Sequence, residues 1–173
     1  LKTRPDFFDA LHMLGVICYQ NGRSQKALEL ISQAIQLRPH IPQAHNNLGN
    51  ALVVDGRLRE AVAAYERAVQ LKPDYAEAYY NAGCALAQLE DFALAVSCYT
   101  KALEIEPRYI PAYTNRGLAL ERMKQPEAAV ENYRAALQVD PQNVELRYKL
   151  GHTYFELRDL PAAFQEYLRI KTE

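Results

Sequence analysis

Tryptophan is absent from this 173-residue sequence, cysteine occurs three times, and neither sign of charge dominates. The 20 basic and 21 acidic residues occur without long runs, so the chain has no charged surface typical of nucleic-acid or anionic-membrane binding. It also lacks an apolar stretch near the ~18 residues of a membrane span and the apolar core of a signal peptide. With 49% hydrophobic residues, we expect a soluble, folded protein whose partners are neither nucleic acid nor membrane.

Groupings of reactive side chains are also scarce. The cysteines, Cys18, Cys84 and Cys98, include no C-x-x-C pair, which argues against a disulfide framework and a zinc site and favours a reducing, cytoplasmic location. The four histidines are scattered along the chain, and the common signatures of nucleotide binding, serine hydrolysis and zinc proteolysis are missing. We therefore predict no catalytic residue, no cofactor and no metal site in this segment.

Glycine is uncommon, with seven residues, but five of them lie 34 residues apart. Prolines and alanines keep the same period, which indicates an array of repeats. The recurring glycines are Gly15, Gly49, Gly83, Gly117 and Gly151, and the recurring prolines are Pro5, Pro39, Pro73, Pro107 and Pro141. The predicted full repeats are 8–41, 42–75, 76–109 and 110–143, with an incomplete fifth at 144–173 and the tail of a preceding repeat at 1–7.

Within a repeat, apolar residues recur at spacings of three and four, which predicts two amphipathic helices. Gly22 and Gly56 suit a left-handed residue after a first helix, and Asp91 and Asp159 suit an N-cap before a second helix. The recurring prolines should end each second helix. We expect the small recurring residues to let helices approach closely where a large side chain fills the gap. Those large residues are Ile31, Tyr65, Tyr99, Tyr133 and Tyr167.

These columns resemble the tetratricopeptide repeat, whose pattern is matched in the third repeat by Tyr79, Gly83, Leu86, Ala95, Tyr99 and Pro107. The resemblance implies an all-α fold, an α-solenoid of helix-turn-helix repeats wound into a right-handed superhelix whose first helices line a concave groove. It also implies binding of a protein or peptide partner. Three positions depart from the pattern: His45 and Arg147 stand where a bulky apolar residue is usual, and Arg116 replaces a leucine.

An asparagine column, Asn47, Asn81 and Asn115, follows the 34-residue period on the first helices. These amides either cap a turn or face water, or they hydrogen-bond the main chain of an extended peptide in the groove; we favour the second reading because capping prefers helix ends. Further predicted peptide contacts lie one residue before or three residues after the column. They are Asn46, Asn50, Tyr80, Thr114 and Tyr148, although packing is an equal alternative for the two tyrosines.

The kind of partner is partly restricted by the same positions. Tetratricopeptide domains that grip a C-terminal carboxylate do so with basic residues in the groove, whereas the matching sites here, such as Asn46, Asn50 and Pro111, carry none. Residues 46–79 are similar to the repeats of O-linked N-acetylglucosamine transferases, which implies a substrate-recognition region of a larger enzyme as an alternative. A structural spacer is another. Because both ends match interrupted repeats, we also expect a longer parent array and end-to-end self-association.

Overall fold

The structure, a computed structural model, describes residues 5–172. Over that range it contains ten α-helices and no β-strand, so the predicted all-α repeat fold is confirmed. The helices are α1 (Pro5–Gln20), α2 (Ser24–Leu37), α3 (Pro42–Val54), α4 (Leu58–Leu71), α5 (Ala76–Gln88), α6 (Phe92–Ile105), α7 (Ile110–Arg122), α8 (Pro126–Val139), α9 (Val144–Glu156) and α10 (Leu160–Thr172).

The chain divides into two compact units, an N-terminal unit up to Glu90 and a C-terminal unit from Asp91. In the N-terminal unit each helix from α1 to α5 packs on the next one, and the first helices α1, α3 and α5 also contact one another in sequence. In the C-terminal unit α6 to α10 pack in the same consecutive order. The helix starts keep the period of the sequence, since α3, α5, α7 and α9 begin 34 residues apart.

The predicted tail of a preceding repeat, residues 1–7, differs from the structure at its C-terminal end. Helix α1 begins at Pro5, so residues 5–7 belong to the first helix of the following pair rather than to a separate element. Residues 1–4, the rest of that predicted tail, lie outside the described range. Proline is tolerated in the first turn of a helix, because the N–H that it lacks would have no intrahelical partner there.

Close packing within four of the helix pairs, α1–α2, α3–α4, α7–α8 and α9–α10, depends on the recurring glycine. A Cβ placed on Gly49 or Gly117 would overlap the ring of Tyr65 or Tyr133, and one on Gly151 would lie 2.9 Å from Cε1 of Tyr167. Gly15 meets Ile31 in the same way. The predicted fit of a large side chain against a small residue is therefore confirmed, and it buries Tyr65 and Tyr133 almost completely.

The turns and helix ends also follow the sequence, with one exception. Gly22 and Gly56 have φ of 72° and 80°, as predicted, and the four second helices before a recurring proline end two residues ahead of it. Asp91 accepts a hydrogen bond from the Leu94 amide, and Asp159 accepts one from the Ala162 amide. The other turns place non-glycine residues in the left-handed region, namely Glu90, Lys124 and Arg158.

Two polar departures from the repeat pattern are buried, and each contacts the carbonyl of the recurring proline six residues earlier. Nε2 of His45 lies 2.8 Å from the carbonyl oxygen of Pro39, six residues earlier. Arg147 donates to the carbonyl of Pro141, again six residues earlier, and forms an ion pair with Glu166 at 3.3 Å. Because a buried polar group needs a partner, the free carbonyl left by each helix-ending proline explains why these positions accept polar side chains.

The glycine contact predicts the sign of a change in stability. Replacing glycine by alanine within a helix normally stabilises a protein by about 0.5–1 kcal/mol. In Gly49→Ala the new methyl group would displace Tyr65, so we expect a net loss of about 1–3 kcal/mol in the free energy of unfolding, measured in urea. The exposed Gln88→Ala change should alter it by less than about 0.5 kcal/mol. A stabilised Gly49→Ala protein would contradict this packing role.

Candidate functional site

The first helices of the N-terminal unit share a group of polar side chains that we call the amide cluster: His12 on α1, Asn46 and Asn47 on α3, and Glu77 and Asn81 on α5. Nδ2 of Asn47 lies 2.8 Å from Nε2 of His12. Asn81 donates from Nδ2 to Oδ1 of Asn46 at 3.0 Å. Asn46 in turn donates to Oε1 of Glu77 at 3.2 Å. The cluster therefore links three successive first helices.

The two asparagines of the column make equivalent contacts. Asn47 and Asn81 each reach a residue 35 positions earlier, which is the residue just before the column on the preceding first helix. Neither capping of a turn nor simple exposure to water describes this arrangement. A repeated hydrogen bond between neighbouring repeats fixes the rotamer of each amide, and with it the direction of the other end of the amide.

The amide oxygens of Asn47 and Asn81 have no partner within the described part of the chain. Both residues are half-buried. One turn along α3, Asn50 accepts the hydroxyl of Tyr65 at 2.7 Å through Oδ1, which leaves its Nδ2 as a donor. These three side chains therefore present two acceptors and one donor near one another on α3 and α5.

Asn46 does not match the prediction of a direct peptide contact. Its side chain is 1% exposed, and both ends of its amide are bonded to α5. A ligand cannot reach it without displacing Asn81 or Glu77. Its position and bonds assign it to holding Asn81 in place.

Two tyrosines, Tyr65 and Tyr75, lie near Glu77 of the cluster. Burial, reinforced by the nearby charge of Glu77, raises the pKa of Tyr75 to about 12, although a hydrogen bond from Asn46 opposes the shift. Burial also raises the pKa of Tyr65. Both phenols therefore stay neutral at physiological pH, and their hydroxyl groups act as hydrogen-bonding groups without adding charge.

Sequence reasoning missed His12 and Glu77 as members of this site. Burial lowers the pKa of His12, while Asp9 and a hydrogen bond to the Gln43 backbone oppose that shift. A neutral ring can accept from Asn47 at Nε2 while donating from its other nitrogen. The available signal was the 35-residue separation from Asn47, which the pair Asn46 and Asn81 repeats.

The remaining predicted contacts are distributed differently. Tyr80 is half-buried on α5 of the N-terminal unit. In the C-terminal unit, Asn115 and Thr114 are half-buried on α7, and the Thr114 hydroxyl donates to the Ile110 carbonyl of its own helix at 3.3 Å. Tyr148 on α9 is 55% exposed and packs against Tyr167, with ring centroids 5.9 Å apart. The aromatic surface of Tyr148 is thus accessible to a ligand.

Arg116, the third departure from the repeat pattern, belongs to a separate polar contact in the C-terminal unit. Its Nε donates to Asn132 at 2.7 Å and its Nη1 to Thr100 at 3.1 Å. Asn132 is buried and donates to the Tyr113 carbonyl. Burial lowers the pKa of Arg116. This network ties α7 to α6 and α8, so we assign it to stability.

Among residues 7–170, whose side chains the structure describes, no three histidine, cysteine or acidic side chains are placed to hold a metal ion together. Within the described helices, none combines the length and apolar character needed to span a membrane.

The fold and the repeat columns define a helical repeat protein. Comparison with models of protein families identifies its repeat family. Models of the tetratricopeptide repeat match residues 8–41, 76–109 and 98–131, and a further tetratricopeptide model matches 49–90 and 123–157. The chain belongs to the tetratricopeptide repeat family. No curated protein sequence matches it significantly.

Solved structures of other repeat proteins have the same fold. A structure of MamA from Desulfovibrio magneticus RS-1 that begins at its residue 41 is 22% identical with a TM-score of 0.84, covering 96% of this chain and 94% of that one. PilF from Pseudomonas aeruginosa is 21% identical with a TM-score of 0.81, covering 99% and 78%. YrrB, described as a tetratricopeptide protein with an unusual peptide-binding site, is 21% identical with a TM-score of 0.76, covering 92% and 82%. At these identities the likeness is one of fold.

The half-buried His12 makes the packing of α1 on α3 sensitive to pH. Because the pKa of His12 is lower in the folded than in the unfolded chain, the unfolded chain binds more protons below about pH 6.5. The stabilisation is present above that pH and is lost as the pH falls. Urea unfolding at about pH 8 and about pH 5.5 should show a smaller acid-induced loss for His12→Gln than for the wild type. Equal losses in the two proteins would contradict this role.

Proposed function

We propose that this chain is a protein-interaction module, without catalytic activity or cofactor, that binds an extended segment of a partner protein along its first helices. The observation that carries the proposal is the pair of oriented, unused amide oxygens on Asn47 and Asn81. Membership of the tetratricopeptide family supports it, as does the fold shared with YrrB, which is described as having a peptide-binding site.

The spacing of helices suits an extended ligand. Packed helices lie about 8–10 Å apart, and an extended chain advances about 3.3 Å per residue, so successive asparagines would meet about every third residue of the partner. Asn115 would supply a third contact in the C-terminal unit. At about 0.5–1.5 kcal/mol per net hydrogen bond, three such contacts contribute a few kcal/mol, and accessible side chains such as Tyr148 would add to them.

The bonding pattern specifies what these contacts recognise. Since Nδ2 of Asn47 and Asn81 is engaged within the protein, their oxygens are left to accept a hydrogen bond from a main-chain N–H of the partner. Nδ2 of Asn50 complements this by donating to a main-chain carbonyl. Recognition through the main chain tolerates many side chains but disfavours proline wherever an N–H is needed.

Selection from a displayed library of random peptides about 12 residues long provides the probe. For a peptide that binds the wild type, Asn47→Ala and Asn81→Ala should each weaken binding by about three- to tenfold, because each removes one main-chain hydrogen bond. One main-chain N–H of the peptide donates to the Asn81 oxygen, and methylating that nitrogen should weaken binding to the wild type by a similar factor. The same methylation should weaken binding to Asn81→Ala little further. Calorimetric titration measures both effects.

A matched variant separates contact from helix positioning. His12→Ala removes the partner of Asn47 but keeps the Asn47 oxygen, so it should weaken binding less than Asn47→Ala. Far-ultraviolet circular dichroism should show unchanged helical content in all variants. If peptides bind equally well to the wild type and to a triple Asn47, Asn81 and Asn115 alanine variant, the asparagine contacts are rejected.

The two alternatives give different results. A structural spacer would give no binder that depends on the first-helix side chains. A substrate-recognition region of a glycosyltransferase would keep the same peptide contacts, but the parent protein would also contain a nucleotide-sugar-binding domain.

We also propose that copies of this chain associate end to end through two apolar faces. Leu14 on α1 is 51% exposed, whereas Leu150, its equivalent in the fifth repeat, is 2% exposed. Phe164 on α10 is 63% exposed, whereas Val130 at the same repeat position is 5% exposed. Repeat contacts cover these positions elsewhere in the chain, so the α10 face of one copy suits the α1 face of another.

Sedimentation velocity tests the association directly. The wild-type chain should show a weight-average mass that rises with concentration, because head-to-tail contacts do not close. Phe164→Lys places a charge in the apolar contact and should give a monomer, whereas Phe155→Lys, another exposed aromatic position, should not. A monomeric wild type at high concentration would reject the proposal.

A further inference from the structure

A pocket opens in the C-terminal unit. It lies between the ends of the first helices α7 and α9 and has a volume of about 380 Å³. Its lining combines two carboxylates with a lysine, a histidine, a threonine and a proline. These residues are Glu121, Lys124, Pro126, His152, Thr153 and Glu156.

Glu121 is held in the pocket by neighbours that carry no charge. The buried hydroxyl of Thr153 lies 2.8 Å from Oε1 of Glu121 and 2.8 Å from the Lys149 carbonyl oxygen, so its single proton is shared between two acceptors. Tyr133 is fully buried beside Glu121, and its hydroxyl makes no hydrogen bond of normal geometry. Burial and the adjacent carboxylate raise the pKa of Tyr133, which keeps that hydroxyl neutral.

The carboxylates of the pocket have no cationic partner. Over the described part of the chain, neither Glu121 nor Glu156 forms an ion pair with lysine, arginine or histidine, although surface acids such as Glu104 and Glu131 do. Lys124 supplies one positive charge against the two carboxylates of the lining. A partly buried carboxylate that is oriented by a hydroxyl and lacks a cation favours a positively charged ligand.

We infer that this pocket receives a lysine or arginine side chain of the bound partner segment. This inference rests on the proposed peptide-binding function and adds the chemistry of one partner residue to it. The cation would lie between the Glu121 and Glu156 carboxylates, while its aliphatic stem contacts the rim. Tyr148, whose ring centroid is 6.4 Å from that of the pocket residue His152, offers an accessible aromatic face at the edge.

The test uses the same displayed peptide library with the wild type and with Glu121→Gln. Peptides selected by the wild type should be enriched in lysine or arginine at one position, and that enrichment should disappear with Glu121→Gln. For one selected peptide, replacing lysine by norleucine or arginine by citrulline should weaken wild-type binding by about tenfold, because a hydrogen-bonded charge pair is lost. The same replacement should have little effect on Glu121→Gln.

Two further variants make the result specific. Glu104→Gln on α6 removes the same charge outside the pocket and should leave the basic preference intact. Thr153→Val keeps the size of the side chain but removes the hydroxyl that orients Glu121, so the preference should become weaker without vanishing. Thermal unfolding confirms that each variant remains folded.

The outcomes distinguish this inference from the proposed function. Binders that depend on Asn47 and Asn81 but show no basic preference overturn the pocket and leave the function standing. Binders whose basic residue depends on Glu121 but not on the asparagines support the pocket and reject the asparagine contacts. A library that yields no binder dependent on either set overturns both.

Discussion

The contact between a glycine on a first helix and a large side chain on the second sets the geometry of the helix pairs α1–α2, α3–α4, α7–α8 and α9–α10. Tyr65 lies where a side chain on Gly49 would be, which sets the distance between α3 and α4 and the rotation of α3 about its axis. Asn47 stands two residues before this glycine. At about 100° per residue it is rotated by about 200° around the axis of α3, so it lies nearly opposite the contact. The same contact that buries the tyrosine therefore directs the asparagine away from the second helix.

Those parts of the fold that depend on recurring residues were predictable from the sequence. Spacings of 34 residues located the helix pairs, and the recurring prolines located the ends of the second helices, because a proline constrains its own backbone and that of the residue before it. The left-handed turns were only partly predictable. Glycine at positions 22 and 56 identified two of them, but Glu90 and Lys124 take the same conformation although side chains disfavour it. The local sequence does not mark those turns, because neither residue is a type that favours a positive φ.

The candidate site was predictable only at its repeated positions. A period identified Asn47 and Asn81, but their partners, His12 and Asn46, are different residue types, so no column marks them. Asn46 is bonded to Glu77 of the following first helix, α5, a long-range contact that helical spacing along α3 does not contain. The proline carbonyls that His45 and Arg147 contact were not predictable for the same reason. Each carbonyl is available only because of where the preceding second helix ends.

An amide is the side chain that can serve both repeats and ligand at the positions of Asn47 and Asn81. A leucine there would pack the first helices together but would offer a partner no hydrogen bond. An aspartate would face the acceptor oxygen of Asn46 or the accepting nitrogen of a neutral His12 with a second acceptor. The donor end of asparagine satisfies the neighbouring helix, and that bond fixes the acceptor end before any ligand arrives. Binding would then order less of the protein, which lowers the entropic cost of association and offsets the small energy of each hydrogen bond.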